Sequence, residues 1–140
     1  MTSAIIIDTH IFVWFMEGTN NLSSKEIKLI NKIINSSQII ISAISFWEIA
    51  MLEKLKKISI SIPIKDWINK AISQKGIKIA GLDIDILIES VYLPGNFHKD
   101  PADRMIVATS RIKEIPLLTH DTRIIKYGQE GHVQLIKDYE

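Results

Sequence analysis

Short apolar runs alternate along this chain with longer stretches in which apolar residues recur every three or four positions. The first run, Ile5 to Ile7, has the length and uniform hydrophobicity of a strand buried on both faces of a sheet. Similar runs predict further strands at Gln38 to Ser42, Ile77 to Ala80, Pro116 to Thr119 and Val133 to Ile136. The chain therefore opens as a series of short buried strands.

Helical periodicity fills the segments between these runs. Ile27, Ile30, Ile33 and Ile34 keep the 3.6-residue spacing of a helix that begins at Ser23 or Ser24. Further helices are predicted at Ile11 to Met16, Ser45 to about Leu55, Pro63 to Gln74, Leu82 to Val91, and from Asp100 to about Lys113.

Strands that alternate with helices indicate an α/β fold, because a helical crossover is the economical connection between parallel strands. We predict one domain over residues 1–140, with about five short, mostly parallel strands and helices on both faces. In such sheets, the functional crevice lies beyond the carboxyl ends of the strands. Candidate chemistry is therefore sought there.

Composition narrows the chemistry. Because the chain has no Cys, disulfides, thiolate metal sites and cysteine nucleophiles are excluded. The formal net charge is only +1, so a nucleic-acid ligand would need a local basic surface. The N-terminus shows no signal-peptide pattern, and no apolar run has the length of a membrane helix. We expect a cytoplasmic protein that does not enter the membrane.

Two acids follow predicted strands directly. Asp8 comes after the first strand and Asp121 after the strand at Pro116 to Thr119, so both carboxylates should project from one edge of the sheet. Asp is also a common helix N-cap, and each residue could serve only that purpose. The two interpretations stay open on position alone.

Glu48 has no comparable explanation as a cap. Its neighbours at helical spacing are Ile44, Met51, Leu52 and Leu55, which places a carboxylate in an apolar stripe. A buried carboxylate without a partner costs several kcal/mol. Glu48 therefore needs a Lys or Arg, a position at the exposed edge of the stripe, or a metal ion.

A third acidic segment opens the helix at Asp100. Asp100 suits the N-cap and Pro101 the first helical position, which explains Asp100 almost completely. Asp103 also falls in the first turn, but it shares a face with Ile106 and Val107, which should pack on the sheet. We therefore interpret Asp103 as an inward-facing acid.

Four inward carboxylates would repel one another, and structure alone gives no reason to gather them. Divalent cations would neutralise Asp8, Glu48, Asp103 and Asp121, and a site made of oxygen atoms favours Mg²⁺ or Mn²⁺ over Zn²⁺. Such an ion activates water and stabilises the charge that develops on a phosphodiester. The sequence thus predicts a metal-dependent phosphodiester hydrolase.

The four acidic segments together resemble PIN domains, and specifically toxin ribonucleases of the VapC type. The resemblance lies in Ile5 to Trp14, Ser42 to Ala50, His98 to Thr109 and Leu117 to Asp121, and it spans nearly the whole chain. Each segment is weak evidence alone, but their shared order and separations are specific. In this resemblance, the metal acids are Asp8, Glu48, Asp103 and Asp121.

The resemblance implies a three-layer α/β/α sandwich and an endoribonuclease that depends on Mg²⁺ or Mn²⁺. It also implies homodimers and a cognate antitoxin that blocks the site. Thr9, His10 and Arg104 lie beside the metal acids in sequence, where they could contact phosphate or orient carboxylates. For Arg104, an internal ion pair with Asp100 or Asp103 is an equal alternative, and His10 and His98 could be structural or simply exposed.

Two rival functions follow from the same pattern. A receiver-like phosphoacceptor domain would need a Lys near a late strand, whereas the late strand here ends in Thr119-His120-Asp121. A PIN-like scaffold that binds RNA or protein without cutting has no need of all four acids.

Among the aromatic residues near the N-terminus, Phe12, Trp14 and Phe15 are expected to pack in the core, with a dimer or antitoxin surface as the alternative.

Overall fold

The computed structural model describes residues 3–36 and 38–137, which form seven helices and four strands. The strands are β1 (Ile5–Ile7), β2 (Ile39–Ser42), β3 (Ile77–Ala80) and β4 (Leu117–Leu118). The helices are α1 (Thr9–Glu17), α2 (Ser24–Ile34), α3 (Ala43–Lys54), α4 (Ile64–Ile72), α5 (Ile84–Val91), α6 (Pro101–Lys113) and α7 (Thr122–Gln129).

The strands form one parallel sheet in the order β3-β2-β1-β4. β1 lies at the centre, where Ile5 pairs with Ile39 of β2 and Ile7 pairs with Leu118 of β4. All three residues of β1 are buried, because helices cover both faces of the sheet. This explains why the strand is continuously apolar rather than alternating.

Successive β1 residues point into two different cores. Ile5 and Ile7 pack with α1, α2, α3 and α4 on one face, whereas Ile6 packs with α5, α6 and α7 on the other. The predicted α/β/α sandwich is therefore confirmed. Within the described residues, no helix is long and apolar enough to cross a membrane.

Local signals position most helix ends as predicted. Ser23 caps α2 in a reciprocal capping box with Glu26, and Gly18 ends α1 in the left-handed conformation that glycine adopts without strain. Asp100 caps α6 by accepting a hydrogen bond from the Asp103 N–H, with Pro101 following it.

The C-terminal part of the fold differs from the sequence prediction in two ways. The predicted strand at Val133 to Ile136 is reduced to a single bridge between Leu135 and Leu117, so the sheet has four strands rather than five. The helix α7 was not predicted, because only a few of its apolar residues repeat at helical spacing. Its buried side chains, Ile124 and Tyr127, gain their place by packing on the second core.

Candidate metal centre

The two acids that follow strands meet at one edge of the sheet. Asp8 leaves β1 and Asp121 leaves the neighbouring strand β4, as the parallel order requires. The Thr119 hydroxyl joins them, since it donates to Asp8 Oδ2 and accepts from the Asp121 N–H at 3.0 Å. Both acids also cap helices, so the capping and site interpretations of each residue are compatible.

Burial gives Asp8 an unusual protonation equilibrium. Its side chain is almost fully buried, and desolvation raises the pKa of the carboxyl group although Thr119 and the Ile11 N–H bond to it. The pKa of Asp121 is lowered instead. Desolvation acts upward there too, but hydrogen bonds from the Ile124 and Arg123 N–H groups and from the Arg123 guanidinium outweigh it.

Glu48 is buried at the inner face of α3, with 9% of its surface exposed. The predicted apolar stripe around it is only partly correct, because Leu55 is 55% exposed and the fully buried neighbour is Ile49. Within residues 3–36 and 38–137, no Lys or Arg pairs with Glu48. Desolvation raises the pKa of Glu48, and the negative charges of Asp100 and Asp8 raise it further. Thr9 and His10 act in the opposite direction and lower this pKa.

Asp103 stands where the repulsion is greatest. As predicted, Asp103 faces inward, beside the buried Ile106 and Val107. Desolvation, followed by the charges of Asp100, Asp121, Glu48 and Asp8, raises the pKa of Asp103 to about 8. In the absence of a cation, this carboxyl group therefore holds a proton at neutral pH.

The ligand atoms converge in two overlapping groups. Oxygen atoms of Glu48, Asp100 and Asp103 lie within 4.8 Å of one another, and the same holds for ligand atoms of His98, Asp103 and Asp121. Asp103 belongs to both groups. A donor set of carboxylate oxygens with one imidazole suits a hard divalent cation, so the residues fit the predicted metal.

All four predicted acids line one cavity of about 320 Å³. Asp100 lines it as well, and so do Arg123 and three aromatic side chains, His10, Trp14 and His120. Arg123 is 61% exposed and reaches Asp121 at 3.4 Å and Asp103 at 3.9 Å. It supplies a positive charge at the mouth of an otherwise acidic cavity.

The three residues predicted beside the acids have different environments. Thr9 is buried and donates to Ser45 Oγ at 2.9 Å, whereas His10 is exposed at the cavity. Arg104 does not line this cavity. Its guanidinium donates to the backbone carbonyls of Ser90, Val91, Phe97 and His98, so Arg104 holds the loop that carries His98. Within the described residues, Arg104 forms no ion pair with Asp100 or Asp103.

Sequence reasoning missed several members of the site. The sequence explains Asp100 almost completely as a cap and His98 as structural or simply exposed, although both offer ligand atoms beside Asp103. His98 Nε2 is buried and lies 2.9 Å from Asp103 Oδ2. Arg123 was missed together with α7. Its position two residues after Asp121 was the available signal.

A carboxylate cluster beyond the carboxyl ends of a parallel sheet, enclosed by helices on both faces, defines a class of α/β domains built to bind divalent cations. The sequence comparison specifies this class further, since residues 5–130 match the sequence model of the PIN domain. The chain therefore belongs to the PIN domain family.

Individual relatives agree with this assignment. Over 122 residues, the chain is 27% identical to Ribonuclease VapC22 of Mycobacterium tuberculosis, covering 87% of this chain and 90% of the relative. Among solved structures, VapBC2 from Rickettsia felis, bound to a DNA fragment from its promoter, matches with a TM-score of 0.66 at 16% identity, covering 94% of this chain and 97% of that one. FitAcB from Neisseria gonorrhoeae matches with a TM-score of 0.63 at 16% identity, and the match covers 95% of this chain and 96% of that one.

Proposed function

We propose that this protein is a metal-dependent endoribonuclease, the toxin of a toxin-antitoxin pair, which hydrolyses RNA phosphodiester bonds and is inhibited by a cognate antitoxin. The observation that carries the proposal is the convergence of Asp8, Glu48, Asp100, Asp103 and Asp121 around one cavity. Three of these acids have raised pKa values, which is unfavourable for the fold alone. The similarity to a ribonuclease supports the choice of RNA.

We infer that Glu48, Asp100 and Asp103 hold the principal Mg²⁺ or Mn²⁺ ion, and that His98 and Asp121 complete the cluster through Asp103. Both oxygens of Asp8 already accept hydrogen bonds, from the Ile11 N–H and the Thr119 hydroxyl. Asp8 lines the same cavity, so its negative charge would add to the attraction of the cation. When bound, the ion neutralises the carboxylates and polarises the phosphodiester.

The residues of the chain also have roles toward the phosphate. Arg123 is exposed at the cavity mouth, and its ion-pair partners among the described residues are Asp103 and Asp121, which the cation would neutralise. Its guanidinium then becomes available to bind the phosphate that carries the bond to be cut. Asp121, which stays ionised because its pKa is lowered, would position the attacking water by accepting a hydrogen bond from it.

Partner binding is a second part of the proposal. Helix α5 and the residue that caps its C-terminus expose a run of apolar side chains at helical spacing: Ile84, Leu87, Ile88, Val91 and Tyr92. Exposed contiguous apolar surface of this kind is typical of protein interfaces. We infer that two copies of the chain form a homodimer through this face. We also infer that the antitoxin binds elsewhere and covers the cavity, and that the protein is cytoplasmic, with residues 1–140 acting as one domain. Light scattering of the purified chain, with and without Val91→Asp, tests the dimer.

The test of activity is cleavage of a mixed cellular RNA pool by the purified protein in Mg²⁺, in Mn²⁺ and in EDTA. We expect discrete fragments in either metal, none in EDTA, and none with Asp8→Asn. Asp66→Asn, at an exposed carboxylate on α4, is the matched control and should cut normally. RNA cleavage that persists in EDTA would contradict the metal dependence. A folded protein that binds Mn²⁺ but cuts nothing would favour the non-cutting scaffold.

A further inference from the structure

One wall of the acidic cavity is aromatic. The rings of His10 and Trp14 lie 5.7 Å apart between centroids, and those of Trp14 and His120 lie 5.4 Å apart, tilted by 52° and 54°. All three rings line the same cavity as the carboxylates. A ligand that contacts the acids therefore meets these rings too.

The core does not account for this arrangement. Trp14 is half-buried and packs on the first core with one part of its ring, as expected from its sequence position, but another part borders the cavity. His10 and His120, whose rings lie next to that of Trp14, are both exposed. Aromatic rings with accessible surface beside a charged cavity are suited to a flat ligand that carries a charged group.

A buried acid outside the metal cluster holds one of these rings in place. Glu26 is 3% exposed and uses both oxygens, one for the Ser23 N–H at 2.9 Å and the other for His120 Nε2 at 2.6 Å. Burial raises the pKa of Glu26, but these hydrogen bonds outweigh it, so the pKa is lowered and the group stays ionised. A carboxylate only accepts hydrogen bonds, so His120 Nε2 carries the proton and its ring orientation is fixed.

We propose that His10, Trp14 and His120 form a nucleobase platform, which binds the base of a nucleotide next to the phosphodiester that is cut. The inference rests on the proposed ribonuclease function and names the side chains that bind a base beside the cut. A base can stack on Trp14 only when it has left its neighbours in the strand, and paired RNA does not present its bases in this way. In this arrangement, Glu26 is a positioning residue that acts through His120.

Two variants of Trp14 separate stacking from folding. Trp14→Phe keeps a flat aromatic face, whereas Trp14→Leu keeps only apolar bulk against the core. From the usual contribution of one stacked base, we expect Trp14→Leu to raise the KM for RNA about tenfold to a hundredfold, and Trp14→Phe to raise it less than about threefold. Both variants should retain the Mg²⁺ affinity measured in the absence of RNA. Equal KM values for Trp14→Leu and the unchanged protein would overturn the proposal.

A double-mutant cycle identifies the base that is bound. The substrate is a synthetic RNA of about 12 nucleotides that spans a site mapped in the cleavage assay, with or without an abasic ribose on either side of the cut. If the platform binds one of these bases, its removal and Trp14→Leu should each lower kcat/KM, and the two changes together should lower it no further than either alone. If Trp14→Leu and removal of a base lower kcat/KM independently, their effects multiply. Multiplication for the bases on both sides of the cut would show that Trp14 binds neither base and would overturn the platform.

A binding measurement distinguishes failure of the platform from failure of the ribonuclease proposal. Twelve-nucleotide A, C and U homopolymers are titrated into the Asp8→Asn protein with Mg²⁺, with Trp14 intact or replaced by Phe, while indole fluorescence is followed. Quenching that disappears with Trp14→Phe supports the platform even if no RNA is cut. Quenching that is absent, or equal in both proteins, overturns the platform even if RNA is cut.

Discussion

Replacing Asp103 with Asn should stabilise the metal-free protein. The pKa of Asp103 rises from its ordinary value of 3.8 to about 8 in the folded chain, where only 15% of the side chain is exposed. At pH 7, the unfolded chain ionises this group and the folded chain does not, which at about 1.4 kcal/mol per pKa unit disfavours folding by about 4 kcal/mol. The Asn side chain does not ionise, so the free energy of unfolding of metal-free Asp103→Asn should exceed that of the unchanged protein by up to about 4 kcal/mol at pH 7.

The effect has a defined dependence on pH. Because the folded state binds the proton more tightly, the contribution of Asp103 to stability is fully present below pH 3.8 and is lost as the pH rises toward about 8. The advantage of Asp103→Asn should therefore shrink to about 2 kcal/mol at pH 5. The same equilibrium makes Mg²⁺ compete with a proton, so Mg²⁺ affinity should rise with pH up to about 8.

Urea unfolding at pH 5, 6, 7 and 8 measures these differences, first in EDTA and then in excess Mg²⁺. In excess Mg²⁺, the unchanged protein should be more stable than Asp103→Asn, because it gains binding free energy that the variant loses. Asp66→Asn, an exposed first-turn carboxylate, should change stability by less than about 1 kcal/mol at every pH. A metal-free Asp103→Asn protein that is less stable than its parent at pH 7, or a difference independent of pH, would refute the reasoning.

Three further predictions concern the side chains that support the site. Glu26→Ala removes the capping box and the partner of His120, and should cost about 1–3 kcal/mol in thermal unfolding at pH 7, with a cost that shrinks as the pH falls from 4.5 through the lowered pKa of Glu26 in the folded chain. Arg104→Met leaves four carbonyls without their donor and should cost about 3 kcal/mol, measured by urea unfolding. Thr119→Val removes the hydroxyl between Asp8 and Asp121, and should weaken Mn²⁺ binding about tenfold in calorimetry, whereas Thr122→Val, at an exposed position, should not.

Most of the fold follows from the sequence through local physical rules. The apolar run Ile5 to Ile7 predicted a strand covered on both faces, and the alternation with helices predicted the parallel sheet. Caps such as Ser23 and Asp100 fixed helix starts because their side chains bond to backbone groups only three residues away. Signals of this kind are contained in a few neighbouring residues.

The site was predictable in part for the same reason. Asp8 and Asp121 follow strands whose carboxyl ends must meet at one edge, so their proximity follows from topology alone. Glu48 and Asp103 were found because each places a charge on a helix face that otherwise packs inward. Periodicity misplaced the exact stripe around Glu48, since Leu55 lies outside the core.

Only the tertiary structure decided which distant groups share a contact. Glu26 binds His120 across 94 positions of sequence, and Thr119 bonds to Asp8 across 111. The pKa of Asp103 depends on four other acids, of which Asp8, Glu48 and Asp121 lie on other elements of the fold. Helix α7 is held by burial of Ile124 and Tyr127 rather than by a long periodic pattern. Sequence spacing determines local conformation and which face is apolar, whereas desolvation and charge coupling depend on distances that exist only once the chain has folded.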